Sequence, residues 1–437
     1  MSSLTKKVND GFGESILHMT LNQDGSCLAV GTTKGFRIFN ISPFREALNI
    51  QLSMDGEGAS DEGQSHRPNN SGGIRIVEML FRCNLLCLVG GGPNPQYPLN
   101  KVMIYDDHQS KCIGELSFRQ PVVAVKLRRD RIAAATANKV YLYNFADLSL
   151  LDQIHTIANP IGIMALSPGS GTVLACPSIV AGHVRLELYS TRKSLLIEAH
   201  ETNLAALALS IDGNSLATAS VKGTIIRVFD VRSGDRLHEL RRGTERASIS
   251  CLTFRNPDNE WLATCSNKGT VHVFHLKHNH GRISAGNGNN SNETSESRRN
   301  LNYGGDQSVG ETSTSSSFQK LGYAGSKLLN SVLNQNSYLR SEWSFAQVRG
   351  LSDPRLCTFL PENNRLAVIG GDGSFWVVDY ETSGEADRVL YHSFLKSKAD
   401  ELRVGVAPRS SNGNDSVTNQ SENIDDESEE DGFISIA

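Results

Sequence analysis

Four segments of the chain repeat one pattern of apolar and polar positions closely enough to align by eye. Leu21 to Ile41 reads LNQDGSCLAVGTTKGFRIFNI, and Leu209 to Val231 reads LSIDGNSLATASVKGTIIRVFDV. Phe254 to Leu276 reads FRNPDNEWLATCSNKGTVHVFHL, and Phe359 to Tyr380 reads FLPENNRLAVIGGDGSFWVVDY. Each holds a polar turn, a short strand containing Leu-Ala, a second turn with Gly, and a strand of alternating β-branched and aromatic residues. The offset from Leu to Gly is constant, as Leu28 to Gly35, Leu216 to Gly223, Leu262 to Gly269 and Leu366 to Gly373. Glycine at that place suits the positive φ of a tight hairpin.

The spacing counts the units. From Leu28 to Leu216 is 188 residues, four steps of 47, and from Leu216 to Leu262 is 46, one step. From Leu262 to Leu366 is 104, one step and an insertion of roughly 58 on that period. Seven units of four short strands predict an all-β chain folded as a seven-bladed β-propeller with WD-like repeats. Degenerate units are readable between the clear ones, at Asn100-Lys-Val-Met-Ile-Tyr-Asp-Asp107 and Lys139-Val-Tyr-Leu-Tyr-Asn144. The propeller is expected over residues 14–405, after an extension at 1–13. Met54 to Gly73 is polar and reads as a loop between blades one and two.

A long insertion, 279–341, is assigned to blade six. Its first part, to Ser317, is rich in Gly, Asn, Ser and Thr and cannot build a core. Beyond it, Phe318, Leu321, Leu328 and Val332 fall on one helical face, with Leu329 and Leu333 beside them. Lys320, Lys327 and Arg340 flank that face, while Gly322 and Gly325 weaken the helix. A core-packing helix is the alternative; the polar surroundings favour a surface-active segment.

Composition agrees with a partly unpacked chain, since only 38% of its 437 residues are hydrophobic. The net charge of −4 conceals an asymmetry, because Val406 to Ala437 carries −7 and leaves +3 for the rest. The tail 406–437 is expected to be disordered. A body so weakly basic argues against duplex DNA, and nucleic acid is not expected as a partner. No run of about 18 apolar residues is found, and Met1 to Asp10 lacks a signal peptide's apolar core. A soluble, cytoplasmic chain is expected. The eight cysteines show no zinc or redox spacing and are expected to be reduced and mostly buried.

Catalytic motifs are missing. No Gly-x-Ser-x-Gly elbow, Walker loop or His-Glu-x-x-His is present, so no enzyme activity and no cofactor are expected. Val89-Gly-Gly-Gly-Pro-Asn-Pro95 lacks the Lys-Ser/Thr of a phosphate cradle and reads as a blade-edge loop. His272, His275, His278 and His280 cluster in sequence, but strand alternation sends His272 and His275 to opposite faces. No metal site is expected.

Leu240-Arg-Arg-Gly243 is different. Adjacent arginines at the end of an outer strand project to opposite sides of it and can serve two clefts. Each guanidinium offers a fixed fork of donors that matches phosphate oxygens. Blade five supplies Thr218, Ser220, Gly223, Thr224 and Arg227 nearby, and blade six repeats them as Ser266, Gly269, Thr270 and His272. Hydroxyls, amides beside glycine and a cation together make an anion site. A solvated basic pair remains the alternative.

Leu-Arg-Arg-Gly between two Lys-Gly-Thr hairpins resembles the motif of the PROPPIN (WIPI) family of phosphoinositide-binding propellers. Val77-Glu-Met-Leu-Phe-Arg-Cys-Asn84, Gly90-Gly-Gly-Pro and Cys112-Ile-Gly-Glu-Leu-Ser-Phe118 are similar to the same family, and most resemble its plant autophagy-related 18 type. The likeness covers about residues 14 to 395; Leu240 stands where many members have Phe. It implies binding of phosphatidylinositol 3-phosphate and the 3,5-bisphosphate at two edge pockets, in autophagosome formation or in endosome and vacuole traffic. It assigns Thr218, Ser220, Gly223, Thr224, Arg227 and Arg241 to a first pocket, and Arg242, Gly243, Ser266, Thr270 and His272 to a second. His200 matches a family histidine. The insertion, with Leu321, Leu328, Leu329, Val332 and Leu333, matches a membrane-dipping loop. Asn22 and Asp24 resemble residues that hold a lipid-transfer partner of the Atg-two type against blades one to three, although a plain β-turn explains them equally well. A peripheral protein of the preautophagosomal structure, endosome and vacuole is implied, monomeric in solution. Protonated His272 is expected to strengthen binding in mild acid. The rival reading is a WD-repeat scaffold for acidic or phosphorylated peptides.

Overall fold

The computed structural model describes residues 14–52, 72–276, 341–362 and 364–394. These form seven sheets of four or five strands, mostly consecutive and antiparallel, one for each unit counted from the repeat. Blade one covers 16–51, blade two 74–117, blade three 124–155 and blade four 165–198. Blade five covers 204–241, blade six 249–275 with Ala346–Val348, and blade seven 354–393. No α-helix occurs among the described residues.

The four leucines that set the repeat, Leu28, Leu216, Leu262 and Leu366, are fully buried between neighbouring blades. Each is the second residue of its blade's second strand, where the sheet is covered on both faces. Their partner glycines Gly35, Gly223, Gly269 and Gly373 all have positive φ. At Gly223 the requirement is double: a Cβ would lie 1.8 Å from the Ala247 carbonyl oxygen, which belongs to the chain entering blade six.

The innermost strand of each blade touches that of the next, and Pro354–Phe359 of blade seven touches Ile16–Leu21 of blade one. The ring thus closes between whole blades, with no strand exchanged across the joint. Aromatic packing holds that joint. Phe44 stacks on Phe375 at 3.9 Å between centroids, Phe39 meets Phe394 at 5.1 Å, and Arg37 donates to the Phe394 carbonyl at 3.2 Å.

Blades five and six depart from four plain strands. After the insertion the chain first adds Glu342–Trp343, parallel, to the outer strand Arg236–Arg241 of blade five. It then pairs Ala346–Val348 with Thr270–His275 as the outer strand of blade six, and Gly384–Glu385 adds to that edge in turn. A single short segment therefore bridges the cleft between the two blades. Residues 54–71 of the predicted loop, nearly all of the insertion with Leu321, Leu328, Leu329, Val332 and Leu333, and the tail 406–437 lie outside the described residues. The eight cysteines carry no disulfide.

Candidate functional site

Register fixes which side chains share a cleft. On blade five, Thr218 lies opposite Arg227 and Arg227 opposite Glu239, while Ile225 lies opposite Arg241. Alternation then places Thr218, Ser220, Arg227, Glu239 and Arg241 on one face of the sheet. The other face carries Ala217, Ala219, Ile226, Val228 and Leu240, packed with Leu252, Phe254, Leu262 and Phe274 of blade six. Arg242, in step with Leu240, belongs to the blade-six side. The two arginines serve different clefts, and both are largely buried, at 8% exposure.

The first cleft faces blade four. From the connection after blade four, His200 reaches in and its Nε2 lies 2.9 Å from Thr218 Oγ1. Burial, and secondarily the charge of Arg227, push His200 down to about 4, so its ring is neutral at physiological pH. Arg227 donates from Nε to Glu239 at 3.0 Å and from Nη1 to the Ala199 carbonyl at 2.6 Å. Glu239 also accepts from Arg236 Nη1 at 2.8 Å, so the carboxylate beside Arg227, which is expected as a phosphate ligand, is shared by two arginines.

The second cleft lies between blades five and six. Thr264 is opposite His272 and His272 opposite Gln347, with Ser266 opposite Thr270 two residues away on the same face. Arg242 is held from three sides: its backbone N–H donates to Thr224 at 3.0 Å, Nε to the Gly223 carbonyl at 2.8 Å, and Nη2 to the Glu245 carbonyl. Gly223 and Thr224, expected in the first pocket, thus present their carbonyls to the arginine of the second. The N–H of Gly243 also approaches the Thr224 oxygen, at 3.4 Å. Ser266 Oγ bonds the Thr270 carbonyl at 3.2 Å, and His272 Nδ1 lies 3.2 Å from Ser344 Oγ.

Burial, then the charges of Arg242 and Arg349, push His272 down to about 4. The expectation that mild acid charges this ring fails for the unliganded protein. Two arginines and a buried surround make the protonated form unfavourable until a counter-anion arrives.

Arg349, Ser344 and Gln347 escaped the sequence reading. They lie just past the insertion, outside any repeat window. A blade-to-blade comparison finds them: Arg227 pairs with Glu239 as His272 pairs with Gln347, so Arg349 occupies on blade six the place of Arg241 on blade five.

Asn22 and Asp24 lie elsewhere, in the first turn of blade one. The Asn22 amide bonds Ser26 Oγ and the Phe81 carbonyl, both at 3.2 Å, and its oxygen accepts from Cys27 N–H at 3.0 Å. Asp24 is exposed and accepts from Ser26 N–H at 3.0 Å. Asn22 is thereby engaged in turn and inter-blade bonding. His275 stacks on Trp261 with centroids 4.5 Å apart, and His278 and His280 lie outside the described residues. No group of metal-ligating side chains occurs among the described residues.

The PROPPIN family profile matches residues 15–286. Autophagy-related protein 18e of Arabidopsis thaliana is 37% identical over 264 residues, 60% of this chain and 66% of the relative. Autophagy-related protein 18 of Kluyveromyces lactis is 32% identical over 328 residues, 60% of this chain and 62% of the relative. The match thus spans less than two thirds of these relatives' length. Among solved structures, Hsv2 of Kluyveromyces marxianus superposes with a TM-score of 0.61 at 20% identity, over 87% of this chain and 99% of that one. The complex of KlAtg21 with the coiled coil of AgAtg16 gives 0.62 at 20% identity, over the same shares. At that identity the likeness concerns the fold.

Proposed function

This chain belongs to the PROPPIN family, and from that premise we propose that it is a phosphoinositide effector of autophagy. Its ligands are phosphatidylinositol 3-phosphate and the 3,5-bisphosphate, taken up edge-on at the clefts on either side of blade five. One observation carries the reading. Two adjacent buried arginines at the end of one strand face two clefts, each furnished with hydroxyls and a buried neutral histidine. A histidine held neutral by its surroundings keeps one ring nitrogen as a donor and can take up a proton when a phosphate supplies the countercharge.

In the first cleft Arg241 provides the charged fork, with Thr218, Ser220 and His200 around it. In the second, Arg242 and Arg349 flank His272, with Ser266 and Thr270 on the same face. Two sites on one rim raise avidity by making the second contact intramolecular. The insertion 279–341, carried on blade six, adds apolar contact with the bilayer in this scheme. The propeller of residues 14–405 then acts as a peripheral adaptor on preautophagosomal, endosomal or vacuolar membranes. Its rim at blades one to three is left to a protein partner of the lipid-transfer type, and the KlAtg21 complex supports the more general idea of a protein-bound propeller.

The test is co-sedimentation with phosphatidylcholine vesicles with and without phosphatidylinositol 3-phosphate, beside the Arg241→Ala/Arg242→Ala double variant. Lipid-dependent pelleting that the double variant loses supports the reading. Equal behaviour of the two proteins refutes it and turns attention to acidic or phosphorylated peptides.

A further inference from the structure

Trp343 is the one exposed aromatic side chain among the described residues, at 54%. The chain's other two tryptophans, Trp261 and Trp376, are partly buried among the blades. Isolated exposed leucines and valines are ordinary on a protein surface, whereas an indole of this exposure in a regular strand calls for a cause.

Its position is specific. Glu342–Trp343 runs parallel to the outer strand of blade five, with Glu342 opposite Leu240 and Trp343 opposite Arg241. Residues opposite one another in a sheet project to the same face, so Trp343 stands on the face of Arg241, one strand further out. It forms the outer wall of the first cleft. The two-residue strand is also fastened: Glu342 Oε1 lies 3.0 Å from Nδ1 of the buried His238. The indole is therefore presented from a paired strand rather than from a loose loop.

We propose that Trp343 is an interfacial membrane anchor, set so that its ring enters the headgroup and upper acyl region when Arg241 takes a lipid headgroup. The chemistry fits a bilayer interface, where an indole's apolar body and its N–H are accommodated together. The arrangement also fits the neighbouring charges, because Arg241 on the adjoining strand and Arg242 in the next cleft draw this rim towards an anionic surface. The anchor rests on the phosphoinositide reading above and adds a residue independent of the insertion.

The experiment uses the full chain and phosphatidylcholine vesicles containing phosphatidylinositol 3-phosphate, prepared with and without brominated phosphatidylcholine as a contact quencher. Wild-type emission is expected to be quenched by the brominated lipid on binding, and the Trp343→Ala variant is expected to lose that quenching. The variant's vesicle affinity is expected to fall roughly fivefold, the share left from partial burial of one large side chain. Its melting temperature is expected to stay unchanged, which separates a lost anchor from a damaged fold. Wild-type protein that pellets with the vesicles but is not quenched overturns the anchor and leaves lipid binding standing. A Trp343→Ala variant that binds vesicles as tightly as wild type overturns it too, and leaves the indole to a protein partner. Absence of wild-type pelleting overturns both the anchor and the reading beneath it.

Discussion

The two clefts on either side of blade five are built to one plan with the parts exchanged. In each, the chain just past the preceding blade's outer strand contributes one residue, and the cleft's own blade contributes a row across its third and fourth strands. In the first cleft the preceding blade gives His200 and the row is Arg227–Glu239, with Arg241 beyond. In the second the preceding blade gives Arg242 and the row is His272–Gln347, with Arg349 beyond. Within the row the arginine has become a histidine and the carboxylate an amide. The consequence is electrostatic: the first row carries its own carboxylate, which Arg227 shares with Arg236, whereas the second sets the charges of Arg242 and Arg349 beside one neutral ring. If the clefts take anions as proposed, they are expected to do so with unequal strength, the blade-six cleft the more strongly.

Removing both arginines has the largest expected effect. Arg241→Ala/Arg242→Ala is expected to weaken vesicle binding by roughly a thousandfold, since each charged hydrogen-bonding group contributes on the order of 1.5–3 kcal/mol. Melting temperature checks that the loss is not unfolding. The single variants then separate the clefts. Arg242→Ala is expected to cost about tenfold more affinity for soluble inositol 1,3-bisphosphate than Arg241→Ala, read by calorimetry. Equal losses break the asymmetry.

Much of this was legible beforehand, for a definite reason. The Leu-to-Gly offset reports a buried strand residue and a positive-φ hairpin, both local requirements, so seven blades could be counted across degenerate units. The divergence of Arg241 and Arg242 likewise follows from strand alternation. What stayed hidden depended on register across long separations. That Arg227 has Glu239 beside it follows only from the pairing of the two strands. Arg349 and Ser344 lie beyond an insertion that breaks the period, and nothing local ties them to His272. The histidine's lowered basicity belongs to the same class, because burial and two distant arginines cause it.

Glu239→Gln sharpens the comparison by giving blade five the row chemistry of blade six. It is expected to release Arg227 and raise headgroup affinity at the first cleft about three- to tenfold, again by calorimetry. An unchanged affinity would mean that Arg227 is held by the Ala199 carbonyl alone. The smallest effect concerns pH. With His200 and His272 both near 4, neither ring gains a proton in the free protein between pH 7.5 and 5.5. Because a bound phosphate supplies the countercharge that lets these rings take up a proton, vesicle binding is expected to strengthen modestly as pH falls over that interval, and a flat profile would mean that the rings stay neutral in the complex. Folding stability has its own window. The unfolded chain binds protons at these histidines below about pH 6.5 and the folded chain only near 4, so stability falls as pH drops between those values. A melting temperature flat from pH 7 to 4.5 would contradict the neutral, buried histidines.

The central claim is that one strand end supplies two separate anion sites, and stoichiometry tests it most directly. Titration of the full chain with soluble inositol 1,3-bisphosphate is predicted to give two sites of unequal affinity, with Arg242→Ala abolishing the tighter and Arg241→Ala the weaker. A single site lost in either variant alike would show that the two arginines share one ligand, and would contradict the account.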